Sequence, residues 1–153
     1  MRRNQSADPK GSPVSAARAV TRMITIRKER QEDTSAIRRI NELAFGGAEE
    51  ADLVDHLRTH NKLLVSLVAE DGDQLLGHIA FSRLTLGTQR SPCAGAGLGP
   101  MSVIPERQKK GVGSLLVRNG LDHCRLMGIQ WVVVVGHPGY YPRFGFAAAS
   151  SFG

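Results

Sequence analysis

The chain has 153 residues and a mass of 16.6 kDa, which suits one globular domain and excludes a two-domain protein of ordinary size. Hydrophobic residues make up 41% and charged residues 22%, the balance of a chain that buries a core rather than of a disordered one. Of the 20 Lys and Arg, five fall in residues 1–22 against Asp8 alone, so the remainder carries 15 cations and 13 anions, and the basic excess is a poor argument for nucleic acid.

Residues 1–22 are rich in Ser, Pro, Gly, Arg and Ala and show no apolar period. They read as a solvated basic extension, and three origins suit it: a disordered arm, an Arg-rich targeting peptide, or an upstream start with Met23 as the natural beginning. The folded domain is expected over residues 23–153. Met23 to Arg27 alternates and predicts a first strand. Asp33 or Thr34 can cap a helix with Ile37, Ile40 and Ala44 on one face, ended by Gly46-Gly47. A second helix is expected from Glu49 to His60, with Leu53, Val54 and Leu57 inward. Leu64–Ala69 and Leu75–Leu86 predict two strands joined by a hairpin turn at Asp71-Gly72. Gly87–Pro92 reads as a loop, and Leu98–Ile104 as a strand stopped by Pro105.

A long helix is predicted over Val112–Met127, with Val112, Leu115, Leu116, Gly120, Cys124 and Met127 as its buried stripe and Gly128 behind it. Trp131–Val135 is a continuous apolar run, the pattern of a strand buried on both faces. The predicted order is β-α-α-β-β-β-α-β, a mixed sheet in an α/β (α+β) fold. The run Trp131–Val135 is far below the roughly 20 apolar residues of a spanning helix, so no membrane segment is expected. Cys93 and Cys124 stand far apart without neighbours at ligand spacing, which argues against a disulfide scaffold and a metal site and for a reducing, cytoplasmic compartment.

The sharpest chemical signal is Gln108-Lys109-Lys110-Gly111-Val112-Gly113-Ser114, between a strand and an amphipathic helix. The first amides of such a helix lack intrahelical partners, its dipole favours an anion, and glycines admit a ligand to the backbone. A phosphate or pyrophosphate is the expected guest; a plain helix start with solvated lysines accounts for the same residues. No Gly-Lys-Ser/Thr follows, so the segment is not a P-loop. Gly95-Ala96-Gly97-Leu98-Gly99 precedes a strand instead of following one, which excludes a dinucleotide fingerprint and reads as a flexible loop. Tyr140-Tyr141-Pro142-Arg143-Phe144-Gly145-Phe146 reads as a packed aromatic turn in which one tyrosine has a polar task.

Taken together, Leu98-Gly-Pro-Met101-Ser102-Val103-Ile104-Pro-Glu106, the Gln108-Lys-Lys-Gly111-Val-Gly113 element and the Tyr-Tyr-Pro-Arg-Phe-Gly-Phe turn resemble the GNAT N-acetyltransferase superfamily, over about Met23 to Phe146. The small bacterial branch of predicted N-acetyltransferases is the nearest likeness. The resemblance implies acetyl-CoA in a wedge between splayed parallel strands, here Leu98–Ile104 and Trp131–Val135. It implies pairing of the Met101, Ser102 and Val103 backbone with the thiol arm. The diphosphate would lie on Gln108, Lys109, Lys110, Gly111, Val112, Gly113 and Ser114. Tyr141 stands four residues before Gly145, where the family's tyrosine acid stands, with Tyr140 as the alternative.

For a base, His137, His78, Glu42, Glu50 and a water chain all stay open. No metal is implied, and the implied acceptor is a small-molecule or peptide amine. Members of the family usually continue past the Phe-Gly-Phe turn with a strand pair. Only Ala147–Gly153 remain here, so the sheet is expected to lack its last strand, which a second copy of the chain, as a homodimer, could supply. A CoA-binding module without turnover is the alternative function.

Overall fold

The element order predicted from the sequence is the order in the computed structural model, which describes residues 23–152; the extension expected over 1–22 lies outside the described residues. The elements are β1 (Thr25–Lys28), α1 (Thr34–Phe45), α2 (Glu49–Thr59), β2 (Leu63–Asp71), β3 (Gln74–Thr88), β4 (Ser91–Val103), α3 (Val112–Leu126) and β5 (Trp131–Val134). The strands form one sheet in the order β1-β2-β3-β4-β5. Neighbours are antiparallel except β4 and β5, which run parallel because α3 carries the chain back between them.

Each face of the sheet is covered. The α3 face holds the larger core, with Leu67, Ile79 and Phe81 against Leu116 and Val117. On the other face Ile37 of α1 and Val54 of α2 pack on Val68. Gly46, in the left-handed region at φ 76°, ends α1. The acids Glu49, Glu50 and Asp52 in the first turn of α2, with Arg58 in its last, match that helix's dipole. Arg38 ties the two helices together with bonds of 2.8 Å to Asp52 and to Asp55.

Several boundaries differ from the sequence expectation. The β2–β3 turn is Gly72-Asp73, not Asp71-Gly72: Asp71 is still paired with Gln74, and Gly72 supplies the positive φ of 60°. The loop expected over Gly87–Pro92 is mostly strand, with Gly87 opposite Pro92 and Thr88 opposite Ser91. Gly95–Gly99 is not a loop but part of β4. Its glycines make room: the Trp131 ring lies over Gly95, where a Cβ would come within 2.1 Å of it.

The buried stripe of α3 is rotated from the expected one. Val117 and Leu121 are inside, while Leu115 and Met127 are 38% and 52% exposed. Leu115 stands about 100° round the helix from Leu116, at the rim, and Met127 lies beyond the last turn. β5 is also not buried on both faces. It stops at Val134, Val133 is 48% exposed and Val135 stands clear in solvent, because β5 is the last strand among the described residues. Two short 3-10 turns follow, Tyr141–Phe144 and Ala149–Phe152, and no further strand up to Phe152.

Candidate active site

The parallel pair is joined only from Gly95↔Trp131 to Leu98↔Val134. β5 then ends, while β4 runs on through Gly99 to Val103 with no strand on that side. Its other side stays paired to β3, where Gly99 and Pro100 together oppose Ala80 in a bulge. The Ile104 N–H donates to Leu76 O at 2.9 Å. By antiparallel alternation Ile104 and Ser102 face β3, and Met101 and Val103 turn their N–H and C=O groups into the opening. The Val103 carbonyl accepts the Gln108 side-chain amide at 2.9 Å. The Met101 N–H and C=O and the Val103 N–H are left facing the gap. The two strands thus separate after Leu98 and Val134, as a wedge requires.

At the wide end of that gap lies the start of α3. Pro105–Arg107 form a 3-10 turn, Lys109 and Gly111 adopt φ of 59° and 87°, and Gly111 caps α3 without any side-chain bond. The first helical bond runs from Leu115 N–H to Gly111 O at 3.1 Å, so the amides of Val112, Gly113 and Ser114 have no partner in the helix. A Cβ on Gly111 would meet nothing within 4 Å, so the space beside this capping residue is open. Lys109 and Lys110 are exposed beside them. Unpartnered N–H groups, the positive end of the helix dipole and two ammonium groups thus meet at the start of α3, an arrangement whose chemistry suits an anion. Gln108 is not free to join it with its side chain, which anchors the loop to β4.

Beyond β5 the aromatic turn folds back toward α3. The Tyr140 hydroxyl lies 3.4 Å from Ser114 Oγ. The Tyr141 ring packs on Gly136, where a Cβ would fall 2.4 Å from it. Burial pushes the Tyr141 phenol up from its ordinary pKa, and Tyr140 beside it adds to the shift. The two rings meet edge to face at 5.1 Å, and Phe144 and Phe146 complete the cluster.

The remaining candidates are scattered. His137 is exposed in the loop after β5, with its carbonyl accepting the Tyr140 N–H at 3.1 Å. His78 is fully buried under α1, and burial pushes it down to about 4. Glu42 is paired to Arg38 at 3.0 Å, and Glu50 sits in the first turn of α2. Cys124 is core, its thiol pushed up to about 11 by burial. Sequence reasoning missed Arg107, which bonds Asp71 at 3.0 Å and ties the loop to the β2–β3 hairpin, and Arg143, whose guanidinium lies 4.5 Å over the Tyr140 ring. Asp71 is 36 residues from Arg107, and no spacing rule reveals such a pair. Among the described residues no group of three or more His, Cys, Asp and Glu could hold a metal, and no helix is long and apolar enough to cross a membrane.

Residues 25–149 match the family described as Acetyltransferase (GNAT) domain. The uncharacterized N-acetyltransferase YjhQ of Escherichia coli is 46% identical over 117 residues, or 74% of this chain and 64% of YjhQ, so the chain spans less than two thirds of that relative's length. A GNAT family acetyltransferase from Brucella melitensis, solved in complex with acetyl-CoA, superposes with a TM-score of 0.78 at 44% identity, covering 83% of this chain and 84% of that one. Escherichia coli YhbS, a GNAT family N-acetyltransferase solved in complex with CoA, gives a TM-score of 0.78 at 30% identity over 96% of this chain and 75% of its own. With the splayed strands and the uncapped helix in place, the chain belongs to the GNAT acetyltransferase family.

Proposed function

We propose that the protein is an acetyl-CoA-dependent N-acetyltransferase that moves an acetyl group to a primary amine by direct attack on the thioester. One observation carries the reading: the uncapped amides of Val112, Gly113 and Ser114 stand at the end of the same gap that leaves the Met101 and Val103 backbone without a strand partner. A diphosphate on the first and a thiol arm along the second describe CoA; the Brucella structure holds acetyl-CoA and the YhbS structure CoA. Ser102 faces β3, so its share is to hold that stretch of strand in place.

In the reaction the amine nitrogen attacks the thioester carbon, the carbon–sulfur bond breaks, and the thiolate leaves. A β4 N–H in the opening, that of Met101 or Val103, stabilises the developing oxyanion. Tyr141 gives its proton to the thiolate, its raised pKa keeping it protonated beforehand. His137, which solvent reaches, takes the proton that the amine sheds; His78 has no such access. The acceptor is a small-molecule or peptide amine.

A CoA-binding module without turnover is the second reading, favoured by the exposed edge of β5, which leaves the acceptor side open among the described residues. Two measurements test both. Acetyl-CoA raises the melting temperature under either reading, and thiol release with a panel of amines occurs only under the first. The absence of a thermal shift overturns both, and binding without thiol release selects the second.

A further inference from the structure

The two adjacent tyrosines occupy different places. A Cβ built on Gly113 would lie 3.0 Å from the Tyr140 hydroxyl and 3.2 Å from Met101 Cε. The phenolic oxygen and the Met101 side chain thus both approach the first turn of α3 at Gly113. Gly113 supplies one of the uncapped amides, and Met101 lies on the stretch of β4 that β5 leaves unpaired. A ligand with its diphosphate on α3 and its arm along Met101 passes close to this hydroxyl.

The ring is fixed while the hydroxyl is not. Arg143 stacks on the ring at 4.5 Å, and Tyr141 and Phe144 hold it edge-on at 5.1 and 5.3 Å. The hydroxyl's contact with Ser114 Oγ, at 3.4 Å, is longer than the usual 2.7–2.8 Å between hydroxyls. A rigid ring with an under-used donor and acceptor is a pre-organised recognition group. Gly113 permits the approach, since a side chain there would crowd the oxygen.

We propose that Tyr140 is a specificity-determining contact for the thiol arm of CoA. Its hydroxyl exchanges Ser114 for a polar group of the arm next to the diphosphate, and so distinguishes CoA from a bare adenine nucleotide. Tyr140 binds and Tyr141 protonates. The inference rests on the reading of the site as a CoA site.

Calorimetric titration of the full chain tests it with two probes: CoA, and adenosine 3′-phosphate 5′-diphosphate, which keeps the nucleotide and lacks the arm. Tyr140→Phe keeps the ring and its stacking, so an unchanged melting temperature is expected. It should bind CoA about three- to tenfold more weakly, the size of one neutral hydrogen bond, and bind the arm-less nucleotide within twofold of wild type. Its kcat at saturating acetyl-CoA should stay within about threefold, since the acid is elsewhere. Equal weakening of both probes, or of neither, overturns the proposal. So does a collapse of kcat with CoA affinity intact, which would make Tyr140 the acid. If wild type binds neither probe, the CoA reading itself has failed, an outcome distinct from failure of the Tyr140 assignment.

Discussion

His78 Nε2 lies 2.9 Å from Ser66 Oγ at a position without solvent exposure. The Ser66 hydroxyl donates to the Glu29 carboxylate, which also accepts two bonds from Arg58. Ser66 has one proton, so it accepts from His78, and the imidazole carries its hydrogen on Nε2. The bare Nδ1 then faces the Asn41 side-chain amide at 3.4 Å. Burial pushes His78 down from 6.5 to about 4, an effect that the nearby Glu29 charge only partly offsets, and Arg58 lowers it further. The unfolded chain therefore binds a proton between these values that the folded chain refuses. Stability from His78 is complete above pH 6.5, falls as pH drops through the window to about 4, and changes no further below it. The loss is at most a few kcal/mol at about 1.4 kcal/mol per pH unit. Burial raises the Glu29 carboxyl, but bonds from Arg58 and Ser66 outweigh that and lower it overall, so protonating Glu29 extends the loss below pH 4.5. Denaturant melts from pH 7.5 to 4.5 check this, with His78→Gln expected to flatten the profile.

Gly120 is a packing glycine. A Cβ there would fall 2.2 Å from Phe81 Cε2, and Phe81 is wholly buried in the centre of the sheet. Alanine would gain up to about 1 kcal/mol of helix propensity. The ring, enclosed by Leu116, Val117 and β-sheet neighbours, has nowhere to go. Gly120→Ala is expected to destabilise the fold by about 1–3 kcal/mol, the usual cost of overpacking. Urea melts at pH 7.5 read this as a lower midpoint with an unchanged slope, and a stabilised variant would mean that α3 is free to move off the sheet.

These two positions show what the sequence could and could not yield. Periodicity located all three helices, because Ile37 and Ile40, Val54, and Leu116, Gly120 and Cys124 repeat at helical spacing and are in fact inside. It misjudged Leu53, which is 46% exposed beside the buried Val54, as well as Leu115 and Val117, since choosing between positions about 100° apart depends on where the sheet lies. The glycines of Gly95–Gly99 signalled flexibility, but Gly95 answers a contact with Trp131, 36 residues later, that no local rule contains. An apolar run such as Trp131–Val134 likewise carries no mark of being an edge.

The uncapped start of α3 was legible because its signals are local: a strand end, two glycines, two lysines and a helix start within Ile104–Ser114. The gap was legible only through family likeness, since it depends on where β5 stops pairing. The separate placements of Tyr140, against Ser114, and Tyr141, against Gly136, were not legible. Neighbouring side chains on an irregular turn diverge according to the turn's own dihedrals, here φ −100° and ψ −50° at Tyr140.

Removing the Tyr141 hydroxyl should affect chemistry more than binding. Tyr141→Phe is expected to lower kcat by about 10- to 100-fold, toward the low end of general acid contributions, with KM for acetyl-CoA within about threefold. In the proposed reaction His137 takes the proton of the amine, so His137→Ala should lower the rate most at acidic pH, where amines are largely protonated, and less at high pH. Steady-state rates from pH 6.5 to 9.5 for both variants check the pair. An unchanged kcat in Tyr141→Phe would remove that residue from the acid role.

Lys109 and Lys110 test the proposed diphosphate site by charge alone. Both are exposed, so their attraction for a diphosphate is screened by salt, whereas the bonds from the Val112, Gly113 and Ser114 amides are short-range. The Lys109→Ala, Lys110→Ala double variant should therefore bind CoA about three- to tenfold more weakly at low salt, with modest contributions from each exposed charge. Raising the salt from 50 to 500 mM should narrow the difference from wild type, because wild type loses what the variant lacks (the range follows from the Debye length falling below about 5 Å). The melting temperature without ligand should not change, since neither lysine is buried in the core. A deficit that persists undiminished at high salt would mean that the lysines shape the turn at Lys109 and Gly111 rather than attract the phosphate.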